Sequence, residues 1–462
     1  MTGLAFAWND ARVRSALGLS EADASDRSFR QVSTDTRTLG PDDLFVALRG
    51  EHFDGHDFLG AAIESGCGGL VVESIEDLPS TGGSDALVYT VADTLVALGD
   101  LARFRRNQMG IPVVGITGSS GKTTVKELAL GALAGSMNAQ GTAGNYNNRV
   151  GVPLTILGAT DDAAVLVLEL GTNQPGEIAE LARVARPDIG VVTTVSETHV
   201  EQLGGLEGVL DEKLDLVRAI PEEGHIVVGC EPAELPGAAR RIRPDTQVAG
   251  LTDEADPGLR PLGLHLRQDG TYGFTWAGQA IDLKVPGRHG AYNALLALAV
   301  AQFLGVPHAA AARGVSEVKA APMRGEVVTI GPIRVVVDCY NANPQSMAGA
   351  IQTLADMETT GRRVAVLGSM LELGSHSPTL HDRALKDALK TPLDRILVTG
   401  AFVTSAEHAS DPRIARFEDV DALVAALAAE VENGDLVLLK ASRGVRLERV
   451  LTGLELAFGE QA

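Results

Sequence analysis

At 462 residues, with 45% hydrophobic and 21% charged residues, the chain has the length of about two to four folding units and the composition of a folded globular protein. Its formal net charge of −21 disfavours work on a nucleic-acid or anionic membrane surface, because both need a contiguous basic face. The cysteines form no CxxC pair and no stretch reaches the ~20 apolar residues of a membrane span, so we expect a cytoplasmic protein without disulfides, zinc or membrane insertion.

Residues 1–109 are predicted to form a small α/β domain. Strand-like runs at 43–48 and 69–72 alternate with a helical stretch at 58–65. An apolar period of 3.6 residues predicts a helix at 94–107, which leads to a domain boundary near Met109.

Residues 110–314 show the pattern of a doubly wound parallel sheet covered by helices on both faces. The predicted strands lie at 111–116, 165–170, 189–195 and 226–229. Between about 245 and 285 the alternation has period two, and Asp269-Gly270 is a hairpin signal between 264–266 and 272–274, which predicts a small antiparallel insertion. An Ala- and Leu-rich helix at 291–304 closes this domain.

Residues 315–462 are predicted to form a second doubly wound, Rossmann-like α/β domain. Short buried-strand patterns at 333–337, 364–367, 396–399 and 436–439 alternate with helical segments. The fold class predicted for the whole chain is therefore α/β with three domains.

A glycine-rich turn at 115–124 lies between a strand and a helix, which is the order that phosphate binding needs. Backbone N–H groups at 118–121 and the start of a helix at Lys122 favour an anion. We expect Lys122 to reach the β and γ phosphates and the Thr123 hydroxyl to bind magnesium. The usual P-loop has a glycine where this chain has Ile116, with Gly115 one residue too early, so a glycine-rich turn without special function is the alternative.

Two side chains that follow buried strands are candidates for a metal site. Glu169 ends the apolar run 165–168, where a carboxylate is costly to bury unless it is paired or metal-bound; alternatively it is a solvated loop residue. His199 follows the strand at 189–195, at the sheet edge where doubly wound folds bind ligands. Because magnesium prefers oxygen ligands, an ordinary surface or core histidine is the alternative there.

Several motifs occur in order along the chain. They are Gly-Ile-Thr-Gly-Ser-Ser-Gly-Lys-Thr-Thr at 115–124, Asn-Tyr-Asn-Asn at 145–148, Glu-Leu-Gly-Thr-Asn at 169–173, His-Val-Glu at 199–201 and Asp-Cys-Tyr-Asn-Ala-Asn-Pro at 338–344. Together they resemble the Mur ligase family, over residues 33–450.

Three local features narrow this resemblance. Ser-Thr-Asp-Thr-Arg at 33–37 resembles the uridine-nucleotide pocket of the family. Residues 341–347 resemble members that join D-alanyl-D-alanine to UDP-N-acetylmuramoyl-tripeptide, and the Asp-Asn-Pro-Arg motif of the sister ligase is missing. The resemblance implies a monomeric ATP- and Mg²⁺-dependent ligase of peptidoglycan synthesis, with an N-terminal uridine-nucleotide domain, a central ATP domain and a C-terminal domain that closes on ATP and binds the dipeptide.

The resemblance also implies roles for individual residues. ATP binding is implied for Gly118, Ser119, Ser120, Gly121, Lys122, Thr123, Thr124, Asn293, Arg324 and Asp338. Substrate binding is implied for Ser33, Thr34, Asp35, Arg37, Asn145, Asn148, Asn341, Asn343 and Ser346. The implied metal ligands are Thr123, Glu169, His199 and a carbamylated Lys213, and the implied catalytic residues are Lys122, Glu169, His199 and Lys213. Closure is expected to bring Arg324, Asp338, Lys440 and Arg443 toward the loop.

Some residues leave alternatives open. Read locally, Lys213 is an ordinary lysine among acidic residues on a solvated helix face. Ser369 stands where many relatives have Asp, and Ala441 replaces a common glycine. Three competing functions are considered. The first is another amide ligase, either a different Mur ligase or a folylpolyglutamate synthase, and the second is a catalytically inactive binding protein. The third is a P-loop GTPase, which would require an Asn-Lys-x-Asp motif that the sequence lacks.

Overall fold

The computed structural model describes residues 6–50, 53–78, 85–198 and 200–458. They form three α/β domains in chain order, each with its own largely parallel sheet, and a small antiparallel sheet lies in the middle domain. The predicted fold class is confirmed.

The first domain is a four-stranded parallel sheet covered by short helices. Its strands pair in the order β3-β4-β5-β6, and β1 and β2 form a separate antiparallel pair. The side chain of Asp93 caps the long third helix, which explains where that helix begins. The elements are β1 (Trp8–Asn9), α1 (Asp10–Ala16), β2 (Ser28–Phe29), β3 (Val32–Ser33), β4 (Leu44–Val46), α2 (Leu59–Glu64), β5 (Gly69–Val72), β6 (Leu87–Thr90) and α3 (Thr94–Met109).

The middle domain is built on a six-stranded parallel sheet with the strand order β12-β11-β10-β7-β9-β8. Every predicted strand of this sheet is present, and the apolar runs are buried because helices cover both faces. The elements are β7 (Val113–Thr117), α4 (Lys122–Ala134), β8 (Ala139–Gly141), α5 (Gly151–Leu157), β9 (Val165–Glu169), α6 (Glu177–Ala185), β10 (Ile189–Val192), α7 (Val200–Leu203), α8 (Leu206–Ala219), β11 (His225–Gly229), α9 (Glu234–Ile242), β12 (Gln247–Ala249), β13 (Leu262–Leu266), β14 (Thr271–Trp276), β15 (Gln279–Pro286), α10 (Arg288–Phe303) and α11 (His308–Glu317).

The predicted antiparallel insertion is confirmed, but its limits differ from the prediction. The hairpin of β13 and β14 turns at Asp269-Gly270, and β15 adds a third strand. The start of the period-two region, β12, instead pairs in parallel with β11 as an edge strand of the large sheet. A strand of this length is too short for its period to reveal which sheet it joins.

Helix α11 packs tightly on α4, the helix that follows the phosphate loop. A Cβ at Gly314 would lie 2.0 Å from the carbonyl oxygen of Gly131, so the two helices approach as closely as they do only because both residues are glycines. The third sheet begins after this helix, with a strand that starts at Glu326, so α11 belongs to the middle domain.

The third domain is a six-stranded sheet with the order β16-β17-β21-β18-β19-β20, in which the edge strand β16 is antiparallel and the others are parallel. Each predicted strand of this domain is present. The elements are β16 (Glu326–Ile330), β17 (Ile333–Asp338), α12 (Pro344–Asp356), β18 (Arg363–Leu367), α13 (Ser377–Lys390), β19 (Arg395–Thr399), α14 (Phe402–Glu407), β20 (Ile414–Phe417), α15 (Val420–Glu430), β21 (Leu436–Lys440) and α16 (Arg449–Phe458).

Within the described ranges, no helix combines the length and the apolar content that a membrane span requires.

Candidate active site

A cavity of about 810 Å³ lies between the carboxyl ends of the two large sheets. Residues that follow β7, β9, β10 and β11 form one wall, and residues that follow β17, β18 and β21 form the other. Doubly wound sheets bind ligands at this edge, so the facing edges of two such sheets make one composite site.

The phosphate loop forms the floor of the cavity, and two of its glycines cannot be replaced without a clash. Gly118 has a φ of +147°, and a Cβ there would lie 1.9 Å from the Thr193 hydroxyl. Gly121 has a φ of +84°, and a Cβ there would lie 2.6 Å from Oδ1 of Asn293. The loop is therefore confined to this turn, and the start of α4 at Lys122 lines the cavity, as an anion site at a helix N-terminus requires.

Lys122 is folded back over this loop. Its Nζ donates a hydrogen bond to the carbonyl oxygen of Gly118 at 2.7 Å. Burial lowers the pKa of the Lys122 ammonium, and the neighbouring Glu169 carboxylate opposes this shift. A phosphate in the cavity would give this buried cation an anionic partner.

Residues that follow β10 fix the conformation of the loop. The N–H of Ser119 donates to the carbonyl oxygen of Thr194 at 2.7 Å, and the Thr198 hydroxyl donates to the Ser119 hydroxyl at 3.0 Å. The hydroxyl of Thr193 donates to the carbonyl oxygen of Ser120 at 2.5 Å. No local sequence signal marks these threonines as loop contacts, because they lie more than seventy residues away from the loop in the chain.

Glu169 ends β9 and is buried, with 2% of its surface exposed. Its carboxylate accepts hydrogen bonds from the Thr123 hydroxyl at 2.7 Å and from Nδ2 of Asn147 at 2.8 Å. The alternative of a solvated loop residue is therefore wrong. Asn147 is a contact that the prediction missed, although it lies within the motif at 145–148.

The donor set around Glu169 fits a magnesium ion bound together with a nucleotide. The carboxylate and the Thr123 hydroxyl supply oxygen atoms, which magnesium prefers. No three His, Cys, Asp or Glu side chains among the described residues cluster to hold a metal by themselves. Phosphate oxygens and water would have to complete the coordination, as is usual for magnesium in nucleotide sites.

The two remaining predicted metal ligands are His199 and Lys213. His199 lies outside the described residues. Lys213 is buried on α8 rather than on a solvated face, so its local interpretation is wrong. Burial lowers the pKa of the Lys213 ammonium well below its usual range, and the positive charge of Lys122 adds to the effect.

The residue beside Lys213 is also buried and was missed by the prediction. The Glu212 carboxylate accepts hydrogen bonds from the backbone N–H of Gly176 at 2.7 Å and of Ile178 at 2.9 Å, at the start of α6. A carboxylate at a helix N-terminus is favourable, so Glu212 anchors α8 to the wall of the cavity.

The third domain contributes charged groups to the opposite wall. The guanidinium carbon of Arg324 lies 4.0 Å from the ring centroid of Tyr340, in a cation–π contact. Nζ of Lys440 donates to Oδ2 of Asp338 at 2.8 Å and to the carbonyl oxygen of Asn341 at 2.9 Å. These residues line the cavity, as does Arg443.

Contacts across the cavity hold the two domains together. The side chain of Asn343 caps α12 through Ser346 and donates from Nδ2 to the Ser120 hydroxyl at 2.9 Å. Gln345 donates to the Glu231 carboxylate at 2.7 Å. The third domain therefore already contacts the phosphate loop.

The predicted uridine-nucleotide residues do not line this cavity. Ser33 and Thr34 lie at the end of β3 and just beyond it, and Asp35 pairs with Arg37 at 2.7 Å. The hydrogen bond from Arg37 lowers the pKa of the Asp35 carboxyl to about 2.

Other predicted residues do line the cavity. They are Ser119, Ser120, Gly121, Lys122, Thr123, Thr124, Asn145, Asn148, Asn293, Arg324, Asp338, Asn341, Asn343 and Ser346. Helix α5, which begins just after the asparagine motif at 145–148, packs against β3, so this motif lies between the cavity and the first domain.

The two departures from the family pattern are accommodated by local contacts. The Ser369 hydroxyl accepts a hydrogen bond from the N–H of Ala401 at 2.9 Å, just before α14. Ala441 fits because its neighbour is a glycine: a Cβ at Gly368 would lie 2.9 Å from the Ala441 Cβ.

Comparison with known proteins agrees with this arrangement. The chain matches the models of the Mur ligase family catalytic domain at 28–106, the Mur ligase middle domain at 116–301 and the Mur ligase glutamate ligase domain at 323–443. It is 34% identical over 432 residues to the UDP-N-acetylmuramoyl-tripeptide–D-alanyl-D-alanine ligase of Bacillus subtilis. The matched region covers 92% of each chain.

Solved structures of MurF ligases are also similar to this chain over nearly its whole length. MurF from Acinetobacter baumannii has a TM-score of 0.88 at 27% identity and covers 97% of this chain and 99% of its own. MurF ligase from Thermotoga maritima in complex with ADP has a TM-score of 0.83 at 28% identity and covers 94% and 99%.

Proposed function

The chain belongs to the Mur ligase family, and from this premise we infer that it is an ATP-dependent ligase that joins D-alanyl-D-alanine to UDP-N-acetylmuramoyl-tripeptide. The product is the pentapeptide precursor of peptidoglycan. The observation that carries this conclusion is the similarity to ligases of this activity over more than nine tenths of both chains.

ATP occupies the floor of the cavity. The loop glycines and the start of α4 bind its phosphates, and Lys122 exchanges its bond to Gly118 for the β and γ phosphates. Asn293 lies against Gly121 and borders the nucleotide. The complex of the Thermotoga relative with ADP supports a nucleotide in this fold.

The reaction has two chemical steps. A carboxylate oxygen of the tripeptide terminus attacks the γ-phosphorus of ATP, and the bond from that phosphorus to the ADP oxygen breaks, which gives an acyl phosphate and ADP. The amine of the dipeptide then attacks the acyl carbon, loses a proton and expels phosphate. Two anions meet in the first step, and in the second step negative charge builds up on the acyl oxygen and the departing phosphate. Lys122, Arg324 and Lys440 lower both barriers by offering positive charge where this negative charge builds up.

Magnesium fits the site through Thr123 and Glu169, with His199 and a carbamylated Lys213 as proposed further ligands. When bound, it neutralises phosphate charge and orients the transferred group. The chain's own contribution is to hold the ligand oxygens: Asn147 fixes one carboxylate oxygen of Glu169, and Thr123 fixes the other.

The third domain excludes water from the acyl phosphate and receives the dipeptide. Its contacts to the loop through Asn343 and to Glu231 through Gln345 support a closed arrangement in which water is displaced. We place D-alanyl-D-alanine beside Asn341, Asn343 and Ser346 in this wall.

The uridine end of the other substrate belongs to the first domain in this proposal. Ser33, Thr34, Asp35 and Arg37 would bind the nucleotide, and Asn145 and Asn148 would guide the peptide toward the cavity, which they line. We propose domain boundaries at 109/110 and, in place of the predicted 314/315, after α11, because this helix packs on α4 of the middle domain. We also propose a cytoplasmic monomer, and the free cysteines fit the reducing cytoplasm.

Phosphate release tests the proposal directly. The purified protein is given ATP, magnesium, UDP-N-acetylmuramoyl-tripeptide and D-alanyl-D-alanine, and each component is omitted in turn while the peptide product is weighed by mass spectrometry. Release should require every component, and L-alanyl-L-alanine should not replace the D-dipeptide. Release that ignores the dipeptide would be hydrolysis and would contradict the proposal. Release that responds to glutamate or diaminopimelate instead would assign the chain to another amide ligase.

A further inference from the structure

We propose that the buried Lys126 is a positioning residue that acts through Thr142 to hold Glu169 in place for the metal–nucleotide complex. Lys126 lies one turn along α4 from Thr123 and does not line the cavity. The inference rests on the proposed function only in taking a magnesium nucleotide as the ligand.

Lys126 is a cation with almost no access to solvent. The side chain is 2% exposed, and its Nζ donates a hydrogen bond to the carbonyl oxygen of Thr142 at 2.6 Å. Its carboxylate partner is the adjacent, partly exposed Glu127 at 2.8 Å. A buried ammonium is unfavourable unless its donors are satisfied, so this lysine is costly to keep for packing alone.

Thr142 connects this ammonium to Glu169. The backbone N–H of Thr142 donates to the carbonyl oxygen of Val167 at 3.1 Å, and its hydroxyl accepts a hydrogen bond from the backbone N–H of Glu169 at 3.0 Å. Thr142 is itself buried, with 2% of its surface exposed. It therefore fixes the backbone from which the Glu169 carboxylate extends.

The contacts close a ring around the carboxylate. Thr123 and Lys126 are three residues apart and share one face of α4. The Thr123 hydroxyl donates a hydrogen bond to the Glu169 carboxylate. Lys126 donates a hydrogen bond to Thr142, the residue whose hydroxyl accepts from the backbone N–H of Glu169. Loss of the ammonium would open the ring on its backbone side, and a carboxylate displacement of about 1 Å is enough to weaken a catalytic site.

The competing explanation is that Lys126 only stabilises the fold, and magnesium dependence separates the two. ADP binding is measured by calorimetry across a magnesium titration and in the absence of metal. Lys126→Met should raise the magnesium concentration for half-maximal binding about tenfold, the size expected for groups that orient metal ligands. Binding of ADP without metal should not change.

Thr142 supplies a second, independent set of variants. Thr142→Val keeps the shape and removes the acceptor, so it should shift the magnesium midpoint in the same direction as Lys126→Met. Thr142→Ser keeps the hydroxyl and should restore the wild-type midpoint. The double variant of Lys126→Met and Thr142→Val should be no worse than the stronger single variant, because both open the same ring.

Leu133→Ala is the matched control for lost stability, because Leu133 is fully buried on the same helix away from the cavity. It should lower the melting temperature without moving the magnesium midpoint. The proposal is overturned if Lys126→Met behaves like Leu133→Ala, if Thr142→Val leaves the midpoint unchanged, or if the two substitutions add. The assay contains no dipeptide, so failure of the ligase function would appear separately, as phosphate release that ignores D-alanyl-D-alanine.

Discussion

Nδ2 of Asn343 donates a hydrogen bond to the Ser120 hydroxyl at 2.9 Å, and this contact joins the third domain to the phosphate loop. The same side chain caps α12 by accepting a hydrogen bond from the N–H of Ser346 at 2.8 Å. One residue thus fixes the start of a helix and holds that start against the nucleotide site. Closure of the cavity and formation of α12 are coupled through it.

The Asn343 contact can be measured by a double-mutant cycle with Asn343→Ala and Ser120→Ala. Asn343→Ala should lower stability by about 1 kcal/mol through loss of the cap, whereas Ser120→Ala should not. If the hydrogen bond contributes about 1 kcal/mol to the closed state, each substitution lowers kcat/KM for ATP by about fivefold, and the double variant is no worse than the stronger single one. Fully additive losses would mean that the contact does not help closure.

Glu169 should be indispensable for magnesium-dependent turnover. Glu169→Gln keeps the shape of the side chain but removes the charge that a metal ligand needs, so phosphate release should fall by about 100-fold or more. The magnesium concentration for half-maximal rate should rise. Glu317→Gln, which changes an exposed glutamate paired with Lys284, is the control and should match the wild type. An unchanged magnesium profile in Glu169→Gln would remove this residue from the metal site.

The sequence predicted the sheet edges of this site well, for a physical reason. The apolar runs that lead into Glu169 and into the loop at 115–124 indicate buried strands. Parallel strands bring their carboxyl ends to one edge of the sheet, so the residues that follow these strands lie together. The contacts between distant segments were not predictable in this way. Asn343 reaches Ser120 across 223 residues, and no local pattern sets how two domains meet.

Lys213 marks a different kind of failure. The charged run around it suggested a solvated face, but the buried positions of α8 are Val209, Glu212, Lys213, Leu214, Leu216 and Val217. Apart from Leu214, these positions have the spacing of three and four residues that marks the inner face of a helix. The apolar members of the pattern could have placed Lys213 inside, whereas its charge argued for the surface.

Carbamylation of Lys213 can be tested because the modification needs carbon dioxide and a neutral amine. Burial lowers the pKa of this ammonium, which favours the reactive neutral form. Lys213→Ala should lose most activity, and small carboxylates should restore part of it by replacing the carbamate. NMR with isotope-labelled bicarbonate should show a carbamate carbon in the wild type and not in the variant.

The control for this experiment is Lys386→Ala, which removes an exposed lysine that pairs with Asp382 on α13. It should keep full activity and show the same carbamate signal as the wild type. Full activity of Lys213→Ala in buffer freed of bicarbonate would exclude the carbamate from the mechanism.

The first domain has a buried carboxylate whose contribution to stability should depend on pH. Burial alone would raise the pKa of Asp10, but hydrogen bonds from Ser25 and Tyr89 outweigh it and hold the pKa below the ordinary 3.8. A lowered pKa means that the unfolded state binds more protons, so the stabilisation is complete above about pH 5 and is lost as the pH falls through the folded-state pKa. Asp10→Asn should therefore destabilise the domain by about 2 kcal/mol at neutral pH and by progressively less in acid.

Trp8 fluorescence in a Trp276→Phe background reports this domain alone, since the chain has only two tryptophans. A stability difference between the parent protein and its Asp10→Asn variant that stays constant down to about pH 2 would contradict the assignment.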